Sequence, residues 1–159
     1  MKKLYIVSDA TQLLRPAARP EGGTMVVEKG RTFHVEESPF AIIRRSCHYG
    51  FASYEGRVKA VMYFLKYRQK IPVLLFEQKG IAAFPTHSPT SRECCWIISQ
   101  HLHQVEDRAG GISRLWMRDG TSEDLPVSPV TVQNQYTRTL HVLQFAKQIM
   151  TYTPKDFTG

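Results

Sequence analysis

Residues 53–84, SYEGRVKAVMYFLKYRQKIPVLLFEQKGIAAF, set two periodicities side by side. Tyr54, Val58, Val61, Met62 and Leu65 recur every three or four residues, the spacing of a helix with one apolar stripe, and Ser53 stands where a helix N-cap belongs. The spacing predicts a helix over 54–67. Two short apolar runs follow, 72–76 and 81–84, on either side of Glu77-Gln78-Lys79-Gly80, where glycine supplies the positive φ that a hairpin needs. A helix feeding an antiparallel hairpin points to a mixed α+β chain.

The rest of the chain extends this pattern. Ser128-Pro129 pairs an N-cap with a proline suited to the first helical position, and Val132, Tyr136, Leu140, Leu143 and Ala146 then keep helical spacing, so a C-terminal helix is expected over 129–150. Residues 94–105 and 112–118 read as strands around the Gly110-Gly111 turn, and Asp119-Gly120 leads to a further short strand ending near Pro126. Toward the N-terminus, 4–7, 24–28, 32–36 and 40–44 read as strands, with a Pro-, Arg- and Gly-rich loop over 14–23. The expectation is a single α+β domain over 1–150 with a mostly antiparallel sheet, followed by a short flexible tail over 151–159.

At 159 residues, with 42% hydrophobic and 22% charged residues, the chain has the size and composition of one globular domain and is not disordered throughout. No apolar run approaches the ~20 residues of a spanning helix, so no membrane partner is expected. The opening MKKLYIVSD is too short in apolar residues for a signal peptide, which suggests a cytoplasmic location. Three cysteines, two of them adjacent, make a poor disulfide framework and fit reduced, buried thiols.

The net charge of +7 is concentrated. Residues 44–70, RRSCHYGFASYEGRVKAVMYFLKYRQK, carry 7 basic side chains against one acid, Glu55, whereas 71–159 carry 8 of each and 1–43 carry 6 basic and 5 acidic. A charge run is commonly just a solvated face. Concentration of nearly the whole excess here, with four tyrosines interleaved, favours a phosphate-binding surface. The candidate DNA-binding residues are Arg44, Arg45, Arg57, Lys59, Lys66, Arg68 and Lys70. On a helix through 67, Lys59, Tyr63, Lys66 and Lys70 fall on one flank of the apolar stripe, with Arg57 and Arg68 on the other. Arg44 and Arg45 precede it in a segment that reads as strand or loop and are candidates for entering a groove.

Other chemistry is poorly supported. His101 and His103 read as sharing a strand face near Cys94 and Cys95, but zinc sites repeat close cysteine pairs, and that spacing is missing, so no metal or cofactor is expected. No phosphate loop, dinucleotide fingerprint, nucleophile elbow or HExxH occurs. The acids come as neighbours, Glu36-Glu37, Glu106-Asp107 and Glu123-Asp124, and neighbours on a strand face opposite ways, which suits rim charges better than an acid–base pair. Trp96 and Trp116 in strands read as core rather than as stacking platforms. A non-enzymatic protein is expected.

Arg45-Ser46-Cys47, Ser53-Tyr54 with Gly56-Arg57, Ile81, Phe84-Pro85-Thr86, and Cys94 with Trp96-Ile97 together resemble the core of the ComK-type competence transcription factors of Gram-positive bacteria, at matching spacing. Glu28-Lys29, Phe33, Pro39 and Ile42 upstream are similar to that family, as are Leu125-Pro126, Ser128, Asn134-Gln135 and Arg138-Thr139 downstream, so that the resemblance covers about residues 25–140. It implies a DNA-binding activator of genes for DNA uptake, acting as a homodimer or tetramer on A/T-rich promoter boxes of double-stranded DNA through the minor groove, with RNA polymerase as a further partner. A narrow, negative A/T minor groove favours arginine insertion while lysines hold flanking phosphates. The chain departs from the pattern at Phe51 and Cys95, where the family has glycine, and the family's C-terminal extension, associated with capture for proteolysis, is expected to be absent. The alternative is a regulatory or protein-interaction module that keeps the fold without activating promoters, and an RNA-binding or nucleic-acid-processing protein comes third.

Overall fold

Neighbouring apolar residues on the central strands face opposite ways, and both faces are covered. The computed structural model describes residues 4–151. Six strands form one antiparallel sheet: β1 (Thr11–Pro16), β2 (Thr24–Glu28), β3 (Arg31–Val35), β4 (Val73–Phe76), β5 (Ile81–Pro85) and β6 (Trp96–Ile98), in the order β3-β2-β1-β6-β5-β4. A smaller antiparallel sheet holds β7 (Leu102–Asp107), β8 (Ser113–Met117) and β9 (Ser122–Leu125). Three α-helices among the described residues pack against these sheets: α1 (Pro39–Tyr49), α2 (Tyr54–Leu65) and α3 (Pro129–Met150). The α+β class with antiparallel sheets and a C-terminal helix is as the sequence leads one to expect.

Alternation sorts the core. Leu14, Val26, Val73, Leu75, Ile81, Ala83, Trp96 and Ile98 of the large sheet pack against Ile42, Ile43 and Cys47 of α1. Their neighbours Leu13, Val27, Phe84 and Ile97 turn to the other side and meet Leu102, Leu115, Met117 and Leu125 of the small sheet and Val132 of α3. Beyond the β4 edge, Val61 of α2 and Val142 of α3 close over Leu74 and Ala82. The large sheet is therefore a middle layer, and β4, β5 and β6 read as continuous apolar runs because both of their faces are covered, whereas β3 at the far edge is partly exposed.

Several sequence expectations are corrected. Residues 40–44 are not a strand but the start of α1: Ser38 caps it, its hydroxyl accepting from the Ala41 amide at 3.2 Å, and Pro39 occupies the first turn. The buried positions Ile42, Ile43, Ser46 and Cys47 follow helical, not strand, spacing. Residues 4–7 form no strand; their backbone is taken up by α1 side chains, with the Val7 amide donating to Ser46 Oγ at 3.0 Å and Arg45 donating to the Tyr5 carbonyl at 3.2 Å. The expected loop over 14–23 begins later, since Leu14 to Pro16 belong to β1. Pro16 is tolerated because only Leu13 and Leu14 pair with β6, leaving its missing amide on the unpaired side. The expected strand over 94–105 breaks at a 3-10 turn over Ser99–His101, where the chain passes from one sheet to the other. Helix α2 stops at Leu65 rather than 67, and Met62, expected in its buried stripe, is exposed. The tail expected over 151–159 lies outside the described residues from 152 onward.

The α1–α2 corner shows how the chain accommodates Gly50 followed by Phe51. A Cβ on Gly50 would lie 2.3 Å from the Leu75 carbonyl oxygen, so glycine there is a packing requirement. Phe51, one residue later, adopts φ +60° with its ring fully exposed. The conformation that normally selects glycine is thus borne by a bulky side chain, held by hydrogen bonds from the Phe51 amide to the His48 carbonyl and from the Ala52 amide to the Cys47 carbonyl.

Candidate nucleic-acid interface

The seven cations singled out from residues 44–70 fall into two groups. Arg44 and Arg45 lie on α1, so the reading of this segment as strand or loop is corrected. Arg44 pairs with Glu55 across the α1–α2 corner and lies over the rings of Phe40 and Tyr54, 5.3 and 5.7 Å from their centroids. Arg45 pairs with Glu37 and also holds the Tyr5 carbonyl, and it is mostly buried. Arg57 of α2, also mostly buried, donates to the Gly50 carbonyl at 3.3 Å and approaches Glu77 at 3.7 Å. These three guanidinium groups tie α1, α2 and the segment 4–7 together. Each already faces a carboxylate.

Lys59, Lys66, Arg68 and Lys70 make no ion pair among the described residues. Lys59 and Tyr63 are exposed one turn apart on α2, and the Lys66 ammonium lies 5.5 Å from the centre of the Tyr63 ring. That part of the expected row survives. Lys70 does not share the helical face, because Lys66 closes α2 in the left-handed conformation, φ +62°, its amide donating to the Met62 carbonyl. The chain then runs as a non-helical connection to β4, and Lys70 is again left-handed at φ +47°. Two lysines in a backbone region that disfavours side chains is stored strain, at a cost of about 1–2 kcal/mol each.

Helix α3 holds this connection in place, which the sequence did not disclose. Gln135, buried at 2% exposure, donates to the Lys70 carbonyl at 2.7 Å and to the Pro85 carbonyl at 2.9 Å, satisfying both protons of its amide. Its oxygen accepts from Arg138 at 2.7 Å. Arg138 stacks over Tyr67, 4.1 Å from the ring centre, and the Tyr67 hydroxyl lies 3.2 Å from His141 Nδ1. Arg138 has no carboxylate partner among the described residues, and burial lowers its pKa, with Tyr67 opposing. The available signal was compositional: α3 spans 22 residues without one Asp or Glu. The balanced charge of 71–159 as a whole, 8 basic and 8 acidic residues, conceals this acid-free stretch.

The cysteines, histidines and paired acids weighed in the sequence take up separate places among the described residues. Cys47, Cys94 and Cys95 are buried, and burial pushes the Cys47 thiol to about 11 and the Cys95 thiol to about 12, so both are protonated at neutral pH. His101 and His103 do not share a strand face: His101 is buried in the 3-10 turn with Nε2 2.7 Å from the Asp9 carbonyl, while His103 is exposed on β7. Among the described residues no three of His, Cys, Asp and Glu come together as a metal would require. Of the paired acids, Glu123 on Arg15 and Asp124 on Arg114 are rim charges, while Glu37 is held in the mostly buried pair with Arg45. Trp96 is fully buried, with its ring parallel to that of Phe40. Trp116 is half-buried and donates to Glu106 at 3.2 Å. No helix among the described residues is long and apolar enough to cross a membrane.

Comparison with known proteins adds to this geometry. A family model described as ComK protein matches residues 2–150. A protein of Bacillus subtilis (strain 168) named "Competence transcription factor" is 30% identical over 114 residues, which take in 72% of this chain and 59% of that relative. The chain thus covers less than two thirds of the relative's length. No solved structure matches.

Proposed function

The chain belongs to the ComK family, and from that premise we propose that it is a regulator of competence gene transcription that binds double-stranded DNA. One observation carries the reading most directly: among the described residues Lys59, Lys66, Arg68 and Lys70 have no carboxylate partner, while Arg44, Arg45 and Arg57 are each paired. Unpaired cations retain condensed-counterion release as a driving force for binding phosphate, whereas a paired arginine must first give up its carboxylate. In this reading the four hold the phosphate backbone. Arg44, exposed and able to trade Glu55 for a negative groove, is the candidate for reading an A/T-rich minor groove, with Arg45 beside it on α1. Assembly as a homodimer or tetramer on paired boxes, and contact with RNA polymerase, belong to the same proposal.

A mobility-shift titration on A/T-rich and G/C-rich duplexes of equal length tests it. Tighter binding to the A/T-rich duplex supports a sequence-preferring regulator. Equal affinity for both would remove minor-groove reading, and no binding to either would remove the DNA function.

The second reading, an interaction module, draws on an apolar groove of about 160 Å³ between α2 and the end of α3, lined by Val61, Phe64, Leu65, Phe145, Ile149 and Met150. Absence of DNA binding in the same titration would favour it.

A further inference from the structure

Tyr67 is the meeting point of two stretches of chain that are 74 residues apart at their hydrogen-bonded pair, Tyr67 and His141. In sequence it lies between Lys66 and Arg68, and both are exposed. Across from it on α3, Arg138 stacks on its ring and His141 meets its hydroxyl. No acid lies between Lys59 and Lys70 or anywhere on α3, and among the described residues none of Lys66, Arg68 and Arg138 forms an ion pair. The connection cannot relax freely either, because buried Gln135 pins its far end through the Lys70 carbonyl and orients Arg138 at the same time. We propose that α3 supplies the second wall of the polyanion site: Arg138, with His141 beside it, binds the phosphodiester backbone together with Lys66 and Arg68, and Gln135 is the positioning residue that fixes one wall against the other.

This inference rests on the DNA-binding reading above and adds residues to it that lie outside 44–70. Its chemistry is general. A planar guanidinium stacked on an aromatic ring still presents its edge for bidentate contact with a phosphate, and stacking restricts the motion that binding would otherwise have to arrest. The left-handed φ at Lys66 and Lys70 fits a loop shaped in advance.

The test is DNA affinity as a function of salt for the full chain and for Arg138→Gln and Arg138→Lys, each checked for an unchanged thermal midpoint. Arg138→Gln should weaken binding roughly tenfold, as loss of a charge-assisted contact does, and reduce the salt slope by about 1. Arg138→Lys should recover the slope, because the charge returns, which a purely structural role for the stack would not produce. Should Arg138→Gln destabilise the fold, His141→Arg gives an independent reading: an added cation at the same wall should steepen the slope by about 1. Wild-type affinity and slope in Arg138→Gln, or an unchanged slope in His141→Arg, overturns the two-walled site while leaving DNA binding by the other cations intact. Failure of the wild-type chain to bind DNA at all overturns the DNA reading itself and this inference with it.

Discussion

The α1–α2 corner and the connection after α2 are equally rich in cations but differ in what those cations face. At the corner Arg44, Arg45 and Arg57 meet Glu55, Glu37 and Glu77. In the connection Lys66, Arg68 and Lys70 meet no acid among the described residues, and what α3 sets against this stretch is the Gln135 amide, Arg138 and His141, the last two on Tyr67. Formal charge places both regions in one basic segment, but the charge available to a partner lies mostly in the second. A guanidinium bound by a carboxylate holds the fold together, and one left open is free for a ligand.

The comparison breaks first, and most visibly, if the open cations are removed together. The triple variant Lys59→Ala, Lys66→Ala, Arg68→Ala should lose about two orders of magnitude in DNA affinity at moderate salt and about 3 in the salt slope, with folding intact. Titration of one labelled duplex at several salt concentrations measures both. A variant that binds as well as the parent would show that these three cations are only solvated surface.

The corner should answer in stability instead. Arg45→Ala leaves Glu37 and the Tyr5 carbonyl without their donor in a mostly buried position, and an unfolding titration should register a loss of about 1–3 kcal/mol. Arg44→Ala, at a pair in which both side chains are about half exposed, should cost no more than about 1 kcal/mol. If Arg44 reads the groove, its loss should lower affinity for the A/T-rich duplex more than for the G/C-rich one. Equal stability losses in the two variants would contradict the distinction drawn between them.

How much of this was legible in the residues depends on which signals stood alone. Ser53 and Ser128-Pro129 marked the starts of α2 and α3 because a clear 3.6-residue stripe followed each. Ser38-Pro39 is the same start signal as Ser128-Pro129, yet α1 read as a strand, because Phe40, Ile42 and Ile43 are residues that strands favour and the helix is only 11 residues long. Helix α1 is stabilised by tertiary contact with the sheet, through Ile42, Ile43 and Cys47, rather than by local preference. The end of α2 was equally hidden, since nothing in Lys66-Tyr67-Arg68 forbids another turn. The helix closes at Lys66, left-handed at φ +62°, and the backbone that follows is held at the Lys70 carbonyl by Gln135, far away in sequence. Of the site, the basic segment was legible and its division was not, because ion pairing depends on which acids the fold brings near.

A smaller effect sharpens the view of the corner. Phe51→Gly should relieve the left-handed strain and remove an exposed ring, offset in part by the greater freedom of glycine in the unfolded chain, for a net gain of up to about 1 kcal/mol in an unfolding titration. A loss of stability would mean that the Phe51 ring packs against something it does not touch here.

The central claim, that open cations along α2 and the connection to β4 form a surface for DNA, is most directly tested by the salt dependence of the wild-type chain. The logarithm of the association constant for an A/T-rich duplex should fall linearly with the logarithm of salt concentration, with a slope of about −4 to −5 per protomer if four to six phosphates are contacted at roughly −0.9 each. A slope near zero would contradict the account, because binding without counterion release cannot run through Lys59, Lys66, Arg68 and Lys70.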